Sequence, residues 1–440
     1  MSLSKPYPSK SILGSPLVIT AVAVLLRMGS VLIFHFYRFS SKPDLFDFGW
    51  EMGSVAHAVA TGHGFSSPCR IPSGPTALVP PVYPYLMAVT FKVRGVYSDN
   101  SAAILLLLNA FCSGLVCLVV VALGRRTVGL KAAILGAWAW AFWPMSLWES
   151  HRVWESSLSV LLFTLTFLSL LALQQERESG FGALCGLLWG MTALTNPAIL
   201  AFVIPAGIYL IFRARTSRNS IPAADGVALL MMCITISPWI IRDYVVFHRL
   251  MAIRDGLPLE LYLGNHQHRP GENVLSGQVC NSLKENRQLA ELGELNYLQE
   301  KGQAAKAFIA AHPGEFGSRM VKRAFYFWVS TPEAWLDVGG TKRALFAELM
   351  KLRRPLFALS SILAFIGLVI GWRQKLPGIL LFTILLVLPP LPYYLTHGEN
   401  RYRHPIEPEI MLLSAYTLVT AVEYFRKTRP QSPLVETRTL

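Results

Sequence analysis

Ten apolar windows, each close to the length of a membrane-spanning helix, alternate with polar segments along the chain. This pattern predicts an all-α membrane protein, a polytopic helical bundle of about ten transmembrane helices. An even number of spans puts both termini on one side of the membrane. The windows lie near residues 16–36, 101–123, 131–149, 152–173, 181–195, 197–212, 225–247, 355–373, 376–396 and 405–425.

Basic residues follow alternate windows and set the predicted orientation, because Lys and Arg favour the cytoplasmic side. Both termini are therefore predicted to be cytoplasmic. The basic residues that carry this prediction are Arg125, Arg126, Lys131, Arg177, Arg213, Arg215, Arg218, Arg373, Lys375, Arg426, Lys427 and Arg429.

The orientation divides the chain into a transmembrane module (1–247), a non-cytoplasmic cap (248–354), C-terminal transmembrane helices (355–425) and a cytoplasmic tail (426–440). The first non-cytoplasmic loop (37–100) contains MGSVAHAVATG and PPVYPYLMAVTFKV. Both runs are too short to cross a bilayer, so they predict helices that lie at the membrane interface.

The composition is typical of a membrane protein, and together with the motif content it disfavours several classes of function. Of 440 residues, 53% are hydrophobic and 15% are charged, against about 25% charged in soluble domains. The net charge of +14 is scattered between apolar windows without a basic helix, which disfavours nucleic acid as a partner. No GxSxG, Walker or GxGxxG motif occurs. The sequence therefore lacks the motifs expected of a serine hydrolase or an ATP-driven pump. Cys69 and Cys280 fall in predicted non-cytoplasmic loops, where a disulfide can form, although the sequence does not show that they meet.

Two glutamates are the candidate catalytic residues. Glu51 follows the first window and Glu155 opens a later one, so both are predicted at one membrane face. A carboxylate there can take a proton from an acceptor, or hold a cation against a departing phosphate. A solvated loop carboxylate or an interface anchor is the plainer alternative. Asp44 and Asp47 compete with Glu51, and Asp47 shares its face if the segment is helical.

Basic and polar residues at the same predicted face are candidates for binding an anion. Arg242 suits a two-point contact with phosphate, or it is a snorkelling arginine paired with Asp243 or Glu260. The run ENRYRHP, residues 399–405, favours an anionic ligand over a charged turn. Its candidate residues are Arg401, Tyr402, Arg403 and His404, and those of the cap are Glu260, Asn265, His266 and His268. The two histidines are more typical of a solvated loop than of a metal site.

Several phrases, spread in order from about residue 44 to 405, resemble the integral-membrane glycosyltransferases of the GT-C fold. The resemblance is to the bacterial branch related to protein mannosyltransferases and to the lipid A aminoarabinose transferase. The phrases are GWEMGSVAHAVATGHGFSSP, PTALVPPVYPYLMAVTFKVRGVYS, WAFWP, RVWESSLSVLL, GLLWGMTALTNPAIL, SPWIIRDYVVF, LELYLGN and RYRHPI.

This resemblance implies transfer of a sugar from a polyprenyl-phosphate donor to a lipid, glycan or protein acceptor, with inversion, at the periplasmic face of a bacterial inner membrane. The family's first acidic position falls on Asp47, whereas the family-like phrase holds Glu51, so the base stays open between the two. The second acidic position matches Glu155, with Glu in place of the commoner Asp. The phosphate-binding positions map to Arg242, Arg401 and Arg403.

The sequence identifies no cofactor with certainty, and it allows a divalent cation, Mg²⁺ or Mn²⁺, without showing that one is needed. The sequence also allows a polytopic lipid carrier or flippase without chemistry, or a non-catalytic subunit of an envelope-polysaccharide complex. Transporters place charges near the bilayer midplane and often contain repeated halves. Here the candidate charges gather at one face and no repeat is visible, which favours the enzyme.

Overall fold

The computed structural model describes residues 12–39, 45–174, 178–216, 223–267, 278–331 and 351–428. Within these ranges the chain is helical, and its one β-type pairing is an isolated bridge between Ser66 and Pro75. In chain order the helices are α1 Pro16–Ile33, α2 Trp50–Ala60, α3 Val82–Arg94, α4 Asp99–Arg126, α5 Leu130–Ala141, α6 Pro144–Ser150, α7 Ser156–Leu173, α8 Ser179–Thr195, α9 Leu200–Thr216, α10 Ala223–Phe247, α11 Leu257–Gly264, α12 Leu283–Leu292, α13 Glu294–Ala311, α14 Pro313–Val329, α15 Arg353–Arg373, α16 Ile379–Val387, α17 Leu391–Leu395 and α18 Glu407–Thr428.

Helices occupy all ten predicted windows, which confirms the all-α membrane fold. In the described ranges, helices long and apolar enough to cross a membrane are Pro16–Ile33, Asp99–Arg126, Ser156–Leu173, Ala224–Phe247 and Arg353–Arg373. Shorter apolar helices are Leu130–Ala141, Ser179–Thr195, Pro197–Tyr209 and Ile379–Leu395. The two short runs of the first loop form α2 and α3. Parts of the predicted cap and the tail from residue 429 lie outside the described residues.

Two predicted spans are broken rather than continuous, and prolines account for both breaks. The window 131–149 divides into α5 and α6 at Pro144, and the window 376–396 divides into α16 and α17 near Pro389 and Pro390. A proline has no N–H for the carbonyl four residues earlier, and its ring clashes with that turn. The window 405–425 corresponds to α18, whose first half, from Glu407 to Thr417, is buried in the bundle.

The break between α5 and α6 is closed by Arg27 of α1, which is fully buried. In a continuous helix, the N–H groups of residues 144 and 145 would bond to the carbonyls of Trp140 and Ala141. Instead, Arg27 donates from Nη2 to Trp140 O (3.1 Å) and from Nη1 to Ala141 O (3.0 Å). It also donates to Ser113 Oγ at 2.9 Å and Ser146 Oγ at 2.7 Å. One side chain therefore joins α1, α4, α5 and α6.

Close packing of α8 against α10 fixes the relative position of these two helices. Gly182 and Gly186 face α10 so closely that a Cβ on either would collide with the carbonyl of Ala224 or Ala228. Small residues four apart let two membrane helices approach at backbone distance. This contact sets the position of α10, which carries Trp239 and Arg242 to the cap side.

The loop after α2 is tied to the cap by covalent and polar contacts. Cys69 and Cys280 form a disulfide, and Arg70 Nη1 donates to Cys280 O at 2.6 Å. Further along, Ala77 N–H donates to Glu294 Oε1 of α13 at 2.6 Å. The disulfide that the sequence left open is therefore formed.

Replacing Arg27 by Met should destabilise the fold, because Ala141 O at the helix break would lose its donor, whereas Trp140 O keeps the N–H of Trp143 and the hydroxyl of Ser146. An unsatisfied buried polar group costs about 1–3 kcal/mol, so we expect a fall of about 1–3 kcal/mol in the free energy of unfolding. The measurement is the midpoint of thermal unfolding in detergent. Arg126→Met, at an exposed position, is the control, and equal midpoints for the two variants would contradict the assignment.

The disulfide predicts a defined count of reactive cysteines. The chain has six cysteines, of which four are free. Alkylation of the denatured, unreduced protein should modify those four, and Cys69→Ser should add Cys280 as a fifth. Mass spectrometry of the alkylated peptides reads this directly. Alkylation of Cys69 and Cys280 in the unreduced wild type would show that the bond does not form.

Candidate active site

Charged side chains from four segments converge at the cap side of the bundle. The segments are the start of α2 with Glu51, the junction between α6 and α7 with Glu155, α11 with Glu260, and the loop 397–402 before α18. Arg401 lies among them: its guanidinium is 5.2 Å from the ring centre of Trp154, next to Glu155, and that ring is 5.8 Å from the ring of Trp50, next to Glu51. The two candidate glutamates thus share one cationic neighbour.

Glu51 is carried into the cluster by the packing of α2. Gly49 has a left-handed backbone (φ +88°), which turns the chain into the helix that begins at Trp50. The buried Phe48 ring anchors this turn at 5.4 Å from the ring of Phe91. Burial raises the pKa of Glu51, while Arg401 opposes this effect.

Asp47 precedes the helix and is exposed, so the helical spacing that would place it beside Glu51 is not formed. Asp44, the other competitor, lies outside the described residues. Glu51 is therefore the candidate for the first acidic position that the structure places close to Arg401.

Glu155 immediately precedes the first residue of α7. The junction that carries it is held by Asn109 of α4, whose Nδ2 donates to Arg152 O at 2.8 Å and Trp154 O at 3.2 Å. Glu155 Oε2 is buried and has no hydrogen-bond partner. Burial raises the pKa of Glu155 to about 7, against the opposing effect of Arg401.

Arg401 is the cation of the site. Its Nε lies 2.6 Å from Glu399 Oε2. Its guanidinium sits 5.2 Å from the ring centre of Trp154 and 5.5 Å from that of Tyr402. A planar guanidinium held by a carboxylate and two rings has a fixed direction.

A second cation, Arg152, lies on the other side of the same junction. It is 3.5 Å from Glu149 Oε1 and 4.6 Å from the ring centre of Trp50. Glu149 is fully buried, and its Oε2 has no hydrogen-bond partner. Sequence reasoning missed both residues, although they stand in the WESHRVWESS run next to Glu155.

His397 joins the cap to the loop before α18. Its Nδ1 is 3.1 Å from Glu260 Oε2 of the cap, and its Nε2 is 3.6 Å from Glu399 Oε1 and 2.8 Å from Tyr402 Oη. Glu260 also accepts from Arg254 Nη2 at 2.6 Å. Sequence reasoning did not single out His397 and Glu399. Their position next to the RYRH run is the signal that could have identified them.

Arg403 and Arg242, two of the predicted phosphate-binding residues, make contacts within the scaffold. Arg403 is buried and donates to Trp328 O (2.9 Å), Ser361 Oγ (2.8 Å) and Ser360 Oγ (2.6 Å). Arg242 donates to Phe65 O, Thr76 O and Asp243 Oδ1, which is the paired arrangement that the sequence left open.

The remaining cap candidates also bond to the backbone. Asn265 Nδ2 donates to Leu261 O and Leu395 O, and its Oδ1 accepts from Arg323. His266 Nδ1 lies 2.8 Å from Tyr262 O, and its ring stacks on that of Tyr262. His268 lies outside the described residues. His404 is buried, with Nδ1 3.3 Å from Glu407 Oε2.

A divalent cation needs several converging oxygen ligands. In the described ranges, no group of three His, Cys, Asp or Glu side chains is arranged to hold a metal ion. The carboxylates of the site are spread among arginines and a histidine instead.

Comparison with known proteins supplies a family match and a fold. Residues 78–241 match the family model described as dolichyl-phosphate-mannose-protein mannosyltransferase. The matched range includes Glu155 and ends one residue before Arg242. No curated protein shows significant sequence similarity to the chain.

Solved structures of the oligosaccharyltransferase of Archaeoglobus fulgidus share the fold. The form with Zn and sulfate has a TM-score of 0.55 at 14% identity, covering 94% of this chain and 49% of that one. The apo form has a TM-score of 0.55 at 15% identity, with 94% and 52% covered. The chain spans about half the length of these proteins. ArnT of Cupriavidus metallidurans bound to undecaprenyl phosphate gives a TM-score of 0.40 at 12% identity, over 98% of this chain and 84% of that one.

The helical bundle therefore has the fold of these oligosaccharyltransferases, and residues 78–241, less than half of the chain, match the mannosyltransferase family model.

Proposed function

We propose that this protein is a glycosyltransferase that moves a sugar from a polyprenyl-phosphate carrier to an acceptor on the periplasmic side of a bacterial inner membrane. The observation that carries the proposal is the convergence of Glu51 and Glu155 around Arg401. The mannosyltransferase family match over residues 78–241 supports the reaction class.

The carboxylates suit the proton transfer that such a reaction requires. As the acceptor oxygen or nitrogen attacks the anomeric carbon, its proton must pass to a base. A base works best when its pKa lies near the working pH, and burial raises the pKa of Glu155 to about 7. Glu51 has the same cause of a raised pKa. We assign the base to this pair.

Arg401 suits the other end of the reaction. When the bond between the anomeric carbon and the phosphate oxygen breaks, its electron pair leaves with the phosphate, whose negative charge increases. A guanidinium that already points to that position stabilises the added charge without reorganising. We propose inversion, in which the acceptor attacks the face of the anomeric carbon opposite to the departing phosphate.

The orientation proposal rests on the distribution of charge along the helices. Arg125 and Arg126 end α4, Arg373 ends α15, and Arg426 and Lys427 lie near the end of α18. These ends are opposite in sequence direction to the ends that carry Glu155 and Arg401. The positive-inside bias then puts the site on the periplasmic face.

Glu51→Gln and Glu155→Gln keep the side-chain shape and remove the base. The variant that lacks the true base should lose about 10²–10⁴-fold in the rate of transfer. The assay follows radiolabelled sugar from a panel of polyprenyl-phosphate sugars, with purified protein. Glu291→Gln, at an exposed cap position, should keep the wild-type rate.

Two results would count against this proposal. Unchanged transfer in both glutamine variants would remove the assigned base pair. A wild-type protein that binds a polyprenyl phosphate but transfers no sugar from any donor would favour a carrier without chemistry.

Arg401 and Arg403 should separate into a binding role and a structural role. Arg401→Lys keeps the charge but loses the planar two-point contact, so we expect the donor KM to rise by about tenfold. Arg403→Lys should lower the free energy of unfolding by about 2–4 kcal/mol, since a lysine cannot reach the three acceptors together. Donor kinetics and thermal midpoints of both variants test this pattern. The reverse pattern would assign the phosphate to Arg403.

A further inference from the structure

His397 occupies the centre of a chain of alternating charges. The order is Arg254, Glu260, His397, Glu399 and Arg401, with consecutive contacts of 2.6, 3.1, 3.6 and 2.6 Å. The chain starts in the segment before α11 of the cap and ends at the guanidinium that neighbours Glu155. His397 itself is 3% exposed.

Two carboxylates flank the ring, and this arrangement favours a proton on both of its nitrogens. Nδ1 lies 3.1 Å from Glu260 Oε2, at ion-pair distance from a carboxylate that can only accept when it is ionised. Nε2 faces the Glu399 carboxylate at 3.6 Å and Tyr402 Oη at 2.8 Å. A proton on Nε2 is donated to the tyrosine oxygen, which leaves the phenolic proton of Tyr402 free to bond to a ligand.

We propose that His397 is a positioning residue that holds Arg401, through Glu399, and Tyr402, directly, in place for the phosphate of the lipid-linked donor. This inference rests on the proposed function of the site. It adds a group that does not touch the substrate but sets the direction of the two groups that do.

The charged neighbours of the ring support the cationic form. Burial alone lowers the pKa of His397, but Glu260 and Glu399 outweigh burial and raise it to about 9. Among the described residues, further charged and titratable groups near these contacts are Arg254, Arg401, Arg152, Glu51, Glu155, Tyr402 and Tyr393. Burial raises the pKa of both tyrosines, so they stay neutral as the ring titrates. As the pH rises through about 9, the ring loses a proton and one of its two carboxylate contacts.

The ring of Tyr402 is fixed for this purpose from its other side. It stacks on the ring of Tyr393, with ring centres 4.3 Å apart and planes 11° from parallel. Stacking sets the plane of the phenol and the histidine sets the direction of its oxygen. A ligand phosphate beside Arg401 can then accept from both.

The test measures binding of radiolabelled undecaprenyl phosphate to the purified full-length protein in detergent, between about pH 7 and pH 10. The second pKa of a phosphate monoester is about 6, so the ligand keeps its charge across this range. Wild-type affinity should fall by about tenfold, with a midpoint near pH 9. His397→Gln should bind about tenfold more weakly at the lower pH and show no such midpoint.

Further variants separate positioning from general destabilisation. His312→Gln, at an exposed cap position, should keep the wild-type profile. Glu399→Gln and His397→Gln together should weaken binding no more than the stronger single change, because they act along one path. If His397→Gln does not fold, the wild-type pH profile alone decides.

The possible failures are distinguishable. Wild-type protein that binds with no midpoint near pH 9, or a His397→Gln variant with the wild-type affinity and profile, would overturn the role of His397 and leave the proposed function intact. Wild-type protein that does not bind undecaprenyl phosphate at any pH would overturn the proposed function, and this inference with it.

Discussion

The guanidinium of Arg27 occupies the place of two backbone donors that Pro144 and the helix break remove between α5 and α6. Without that contact, the carbonyl of Ala141 would lose its donor in a bundle interior where backbone groups must be satisfied internally. The break gives α6 a separate direction and leads the chain into the junction that ends at Glu155. Arg27, buried in α1, therefore helps to set the position of Glu155, which immediately precedes α7.

The carboxylates of the site fall into two groups that differ in their neighbouring charges. Burial works against the charge of Glu399, but Arg401 and His397 outweigh it and lower its pKa to about 2. Glu260 is likewise held ionised by His397 and Arg254, with its pKa well below the usual range. Glu155 Oε2 is buried without a hydrogen-bond partner, and burial raises the pKa values of both Glu51 and Glu155. A set of acids whose pKa values are pushed apart in one place is typical of acid and base chemistry.

Much of the fold was predictable because the apolar windows reflect a constraint that acts on each segment separately. A span must be long and apolar wherever it packs. The site was less predictable because its parts meet through contacts between distant segments. Arg401 and Arg403 are two residues apart in one short 3₁₀ segment, yet the first faces the site and the second is buried among α14 and α15. Composition cannot separate them, since both are arginines in the same run.

Two different kinds of contact connect the cap to the rest of the protein near the site. The disulfide of Cys69 and Cys280 joins the first loop to the segment before α12, and that join does not depend on pH. The contact of Glu260 with His397 joins α11 to the loop before α18, and it is strongest when the ring is cationic. A cap that shifted relative to the bundle would stretch the second link first, since ionic contacts yield before covalent ones. Arg401, at the end of that link, would then lose its fixed direction, so the docking of the cap and the geometry of the phosphate site are one physical condition.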